Sequence, residues 1–141
     1  MTIYINANQV ITREFHRPKT IGKSPCPRFM HSMDYFKDAN ALVICGGRND
    51  QLPSEKILND IWLLKLNNLE WQKVLIGGYH YVEPRFNFAS VILGSKLIIA
   101  GGIGYDYKLL KDYQEFEMDQ TIIKKKFVHK NKMEYLRNLS H

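Results

Sequence analysis

A short apolar run ending in a glycine pair occurs twice, as Leu42-Val43-Ile44-Cys45-Gly46-Gly47 and as Leu97-Ile98-Ile99-Ala100-Gly101-Gly102. Such a run reads as a buried strand, and the paired glycines mark a tight turn that a Cβ would hinder. The surroundings repeat as well. Pro27-Arg28-Phe29-Met30-His31-Ser32 precedes the first run and Pro84-Arg85-Phe86-Asn87-Phe88-Ala89 the second, while Asn59-Asp60-Ile61-Trp62 and the weaker Lys111-Asp112-Tyr113 follow them. The period is about 55 residues, long enough for one multi-stranded unit per repeat.

Within the first repeat the strand reading is complete. A polar loop follows Gly47, the apolar run Ile61 to Leu66 forms the next strand, Asn67-Asn68 makes a turn, and Trp71 opens a fourth strand. A Pro-Arg start, a strand ending in Gly-Gly, an Asp-x-Trp strand and a Trp about ten residues on together resemble the kelch family, in which each repeat is one four-stranded propeller blade. The second repeat carries the same order without the final Trp, where Ile122 or Ile123 stands nearest. The resemblance implies an all-β fold, a kelch-type β-propeller segment of four-stranded antiparallel blades. Upstream, Phe15 precedes Gly22 as Trp71 precedes Gly78, so Ile3-Tyr4-Ile5 and Phe15 read as the third and fourth strands of an earlier blade. The expected divisions are residues 1–26 for that half-blade and its link, 27–83 for the complete blade, 84–123 for a divergent second blade and 124–141 for a basic tail.

Charge is unevenly spread. Lys124, Lys125, Lys126, Lys130, Lys132 and Arg137 face the single acid Glu134 in the last stretch, so five of the six net positive charges lie there. Residues 1–120 are close to neutral, and the tail, with Met133, Leu136 and Leu139 at helical spacing, suits a short amphipathic helix after a solvated lysine run. No apolar run is long enough to span a membrane, and residues 1–10 lack the pattern of a signal peptide. Cys26 and Cys45 have no C-x-x-C spacing and read as reduced thiols, which agrees with a cytoplasmic location.

Catalytic motifs do not survive inspection. Gly22-Lys23-Ser24 imitates the end of a phosphate-binding loop, but Arg17 stands where its first glycine is needed. Leu97 to Gly104 imitates a dinucleotide-binding turn, yet Tyr107 occupies the third glycine position. The five histidines show no metal-ligand spacing, and Gly-x-Ser-x-Gly is absent. No catalytic, cofactor or metal site is expected, and His31 reads as a packed histidine.

Interaction is the better signal. The loop Arg48 to Lys56 is long, polar and mixed in charge, as are the variable loops at propeller ends. Likeness to peptide-recognising kelch domains nominates Arg48, Asn49, Arg28 and Arg85 as partner contacts, since an arginine fork can grip a carboxylate with two bonds. Met133 and Leu136 are nominated on the tail. A propeller closes with about four to eight blades, and about two and a half are present, so the expected partners are proteins that supply the missing blades or further copies of the chain. The expected role is a non-catalytic interaction or structural module. The alternatives are a fragment of a propeller enzyme whose active site lies elsewhere, and nucleic-acid contact through the basic tail.

Overall fold

The computed structural model describes residues 17–76 and 81–118, and beyond them the backbone of three strands in residues 2–5, 11–14 and 122–130. In chain order the strands are β1 (Thr2–Ile5), β2 (Ile11–Glu14), β3 (Ser32–Phe36), β4 (Ala41–Cys45), β5 (Ile61–Lys65), β6 (Glu70–Lys73), β7 (Leu75–Ile76), β8 (Ala89–Leu93), β9 (Lys96–Ala100), β10 (Asp112–Met118) and β11 (Ile122–Lys130). They form three sheets: the hairpin β1-β2, blade 1 in the order β3-β4-β5-β6, and blade 2 in the order β8-β9-β10-β11 with β7 added outside β11. Within each blade successive strands are antiparallel. The all-β expectation from the sequence holds.

Side-chain alternation explains why the blades stack. Ala41, Val43 and Cys45 of β4 lie on one face, beside Ile61 and Leu63 of β5, and all five are buried. Blade 2 answers with Leu97 and Ile99 of β9 and Phe116 and Met118 of β10, so one apolar core fills the gap between the sheets. The inner strands β3 and β8 approach each other, and Ser90 Oγ of β8 donates a hydrogen bond to the Asp34 carboxylate of β3. On the opposite face of β5, Trp62 is buried, whereas Trp71 of β6 is only half-buried.

Both repeats turn in the same way. Gly47 and Gly102 have φ of 99° and 94°, in the region that disfavours side chains, and a Cβ at either would meet the preceding Phe carbonyl and the side chain of His31 or Phe88. Met30 and Asn87, each two residues after the Pro-Arg arginine, share φ of 53°.

Two features differ from the sequence expectations. β11 continues through Lys130, so Lys124 and Lys125, read above as the start of a tail, lie in the sheet opposite Glu117 and Phe116. Lysine is well tolerated on a strand near a sheet edge, which is why charge alone misjudged this stretch. The second feature is a parallel outer strand. Leu75 and Ile76 pair with Ile122 and Ile123, and Ile21 makes the matching bridge to Glu70, so each link is hydrogen-bonded to the outermost strand of the blade that follows it. No helix among the described residues is long and apolar enough to cross a membrane.

Candidate interaction surface

The two Pro-Arg arginines turn inward. Arg28 Nη1 and Nη2 donate to the Asp60 carboxylate at 2.6 and 3.1 Å, and Nη1 also reaches the Gly46 carbonyl at 3.1 Å. Arg85 repeats this on Asp112 at 3.0 and 2.9 Å and on the Gly101 carbonyl at 2.8 Å. Each aspartate takes one further bond from the residue two places on, Trp62 Nε1 at 2.6 Å on Asp60 and Gln114 Nε2 at 3.1 Å on Asp112. Gln114 thus stands in for the tryptophan of the first repeat. Burial alone would raise the Asp60 carboxyl, but Arg28 and the Trp62 N–H outweigh it and hold the group below the ordinary carboxylate pKa. Asp112 is held low in the same way by Arg85 and Gln114. Arg85 is wholly buried. These forks join the opening of each blade to its third strand and present no grip to the outside.

Arg48 and Asn49 sit differently. Gly46 N–H bonds Asp60 C=O and Leu58 N–H bonds Gly47 C=O, so the β4–β5 loop leaves and returns along one path. Asn49 is buried in it, and its side-chain oxygen accepts from Gln51 N–H at 2.9 Å, shaping the loop tip from within. Arg48 reaches across to blade 2. Its guanidinium lies 5.4 Å from the Phe86 ring centroid and 5.3 Å from that of Tyr107, while Nε donates to Asp50 at 2.5 Å. Phe86 and Tyr107 meet edge to face at 6.3 Å.

Tyr107 is one of several exposed tyrosines. Tyr107 is 67% exposed, Tyr81 57% and Tyr105 48%. Burial, then the charges of Tyr105, Glu83 and Glu55, pushes the Tyr81 phenol above its ordinary pKa. The turn at Tyr105–Tyr107 holds Asp106 and Tyr107 at φ of 53° and 56°, an uncommon conformation for such residues and a sign that the loop is fixed by its contacts. Tyrosines of this kind offer large rigid area with a polar tip. Sequence reasoning selected Arg48 but missed Tyr107, because it falls in the weaker repeat and approaches Arg48 only once the blades stack. His31, expected from the sequence to be packed, is exposed overall, and the partial burial of its ring together with the Arg28 charge lowers its imidazole pKa. Among the described residues no group of three or more His, Cys, Asp or Glu could hold a metal. Met133 and Leu136 lie outside the described residues.

Comparison with known proteins supplies the family. Residues 3–137 match the KLHDC2/KLHL20/DRC7 Kelch-repeats domain. The chain is similar to the tRNA wybutosine-synthesizing protein 2/3/4 of Oryza sativa subsp. japonica, 37% identical over 83 residues that make up 59% of this chain and 7% of that protein. It is also similar to the Tip elongation aberrant protein 1 of Schizosaccharomyces pombe, 29% identical over 68% of this chain and 8% of the relative. Dynein regulatory complex subunit 7 of Chlamydomonas reinhardtii is 32% identical over 63% of this chain and 7% of the relative. The chain therefore spans less than a tenth of each of these relatives.

Proposed function

The chain belongs to the KLHDC2/KLHL20/DRC7 kelch-repeat family, and on that premise we propose that it is a non-catalytic protein–protein interaction module working within a larger propeller or assembly in the cytoplasm. The observation that carries this reading is the Arg48 guanidinium of the β4–β5 loop held against the exposed Tyr107 ring of blade 2. Aromatic residues and arginine are the side chains that most often dominate protein interfaces. Both cysteines are free thiols, which supports the location. Asp60, Asp112 and Cys45, whose ionisation is perturbed, sit in the sheet network and the interblade core, where structural contacts take them up, which argues against a catalytic role for them. A second contact through Met133 and Leu136 rests on the sequence alone.

The test is site-specific photocrosslinking in cells. A photoreactive phenylalanine at Tyr107 captures a defined protein partner, and the same residue at Lys37, in the turn between β3 and β4, captures little. Equal capture at both positions would remove the loop end from the reading.

A further inference from the structure

Gly22-Lys23-Ser24 lacks the first glycine of a phosphate-binding loop, but the same stretch sets a serine where a phosphate can be added. The link that leads into blade 1 is pinned at two points. Ile21 N–H donates to Leu69 C=O and Ile21 C=O accepts from Trp71 N–H, both at 2.9 Å, and Arg28 secures the other end through its fork on Asp60. Between these points residues 23–28 lie in no strand, helix or bridge, and among the described residues they make no backbone–backbone hydrogen bond. Lys23 and Ser24 are exposed. Pro25 and Pro27 fix their own φ and bias Ser24 and Cys26 towards extended backbone, so the serine sits in a stiff, extended surface segment.

The fold does not require a serine followed by a proline here. Three residues before the second Pro-Arg, Tyr81 takes the place of Ser24 and Val82 that of Pro25. Val82 is buried in the interblade core, and Pro25 is half-buried. Ser24 is also the one serine or threonine of the sequence that a proline follows. Other exposed hydroxyls are placed differently. Thr20 abuts Ile21, whose backbone is paired with β6, and Ser54 precedes Glu55, which turns the chain at φ 49°. Charge favours Ser24 as well. Residues 15–33 contain no Asp or Glu, while Arg17, Lys19 and Lys23 are exposed. A phosphoserine carries about −1.5 to −2 charge at neutral pH and would meet cations of its own link and no carboxylate.

We infer that Ser24 is a phosphorylation site of a proline-directed protein kinase. In that transfer Ser24 Oγ attacks the γ-phosphorus of ATP, the bond to the β-phosphate oxygen breaks, ADP leaves, and the catalytic aspartate of the kinase takes the hydroxyl proton. A kinase holds its substrate extended, and residues 23–28 can be held so without unpairing a strand. The added group therefore leaves blade 1 folded. It turns a link bearing three exposed cations into one close to neutral.

The experiment incubates the full native chain with ATP and a kinase of the cyclin-dependent class, and reads the product by intact mass and phosphopeptide mapping. The expected product carries one phosphate, on Ser24, with circular dichroism and melting close to the parent. Ser24→Ala should abolish incorporation at this site. Pro25→Ala keeps the hydroxyl and removes the ring that such a kinase selects, so incorporation should slow about tenfold or more. Its melting curve, and that of Ser24→Ala, show whether the variants remain folded. The same phosphopeptide should appear when the full chain is expressed in eukaryotic cells. Ser24 left unmodified in either setting, or incorporation at Ser24 undiminished by Pro25→Ala, overturns the assignment. A phosphorylated chain that melts well below the parent overturns the claim that blade 1 stays folded around the modified link.

Discussion

Arg85 and Asp112 form a two-pronged ion pair, at 2.9 and 3.0 Å, with the arginine wholly buried, and Arg28 with Asp60 reproduces it one repeat earlier. Removing one partner of such a pair strands a charge in the interior. Asp112→Ala or Arg85→Ala should therefore cost about 3 to 5 kcal/mol, much of the stability of a small domain. Replacing both by apolar residues of similar volume should recover most of the loss. Urea denaturation of the single and double variants measures the difference.

Acid should unfold the protein through the same carboxylates. Asp60 and Asp112 have folded-state pKa values below their unfolded ones, so their contribution is complete above about pH 5 and is lost as the pH falls through about 4 and below. Asp112→Asn should lower stability at neutral pH and flatten the acid limb of the melting profile. An unchanged acid limb in that variant would assign the transition to other groups.

Met30 occupies a left-handed conformation at φ 53° with its side chain 53% exposed, while the second repeat places Asn87 in the same conformation. Asparagine tolerates this region better than methionine, and little packing is lost at an exposed site. Met30→Asn should raise stability by about 1 kcal/mol, seen as a higher urea midpoint with an unchanged slope.

The two thiols should react at separate times. Burial pushes the Cys45 thiol up to about 12, leaving it neutral and inaccessible in the folded protein, whereas Cys26 is half-buried. Maleimide labelling followed by mass spectrometry should find Cys26 modified first and Cys45 modified only on unfolding. Early modification of Cys45 would mean that the junction between the blades opens readily.

Much of this fold is legible because the strongest constraints are local. A strand that ends in Gly46-Gly47 or Gly101-Gly102, an Asp60-x-Trp62 strand and a Pro-Arg opening are each short enough to read directly. The roles of the arginines were not legible. Arg28 and Arg85 reach carboxylates 32 and 27 residues away, and the expectation that they contact a partner rested on likeness to peptide-recognising kelch domains rather than on that pairing. β11 was obscured because three successive lysines outweighed its weak strand pattern, and β7 because two residues leave almost no pattern at all. The contact of Arg48 with Phe86 and Tyr107 depends on stacking two blades, which no single stretch of sequence records.

The links hydrogen-bonded to the outermost strands redraw the unit that can be copied. Because Ile21 pairs with Glu70, and Leu75 and Ile76 pair with Ile122 and Ile123, a complete blade begins several residues before its Pro-Arg. A duplication cut at Pro27 or Pro84 would leave the new blade without its outer parallel strand, its backbone groups open to any passing chain. One cut near Ile21 or Leu75 would carry that strand along. Lineages that lengthen or shorten such arrays should therefore place their recombination points ahead of the links, where a whole blade can be inherited with its own selvage.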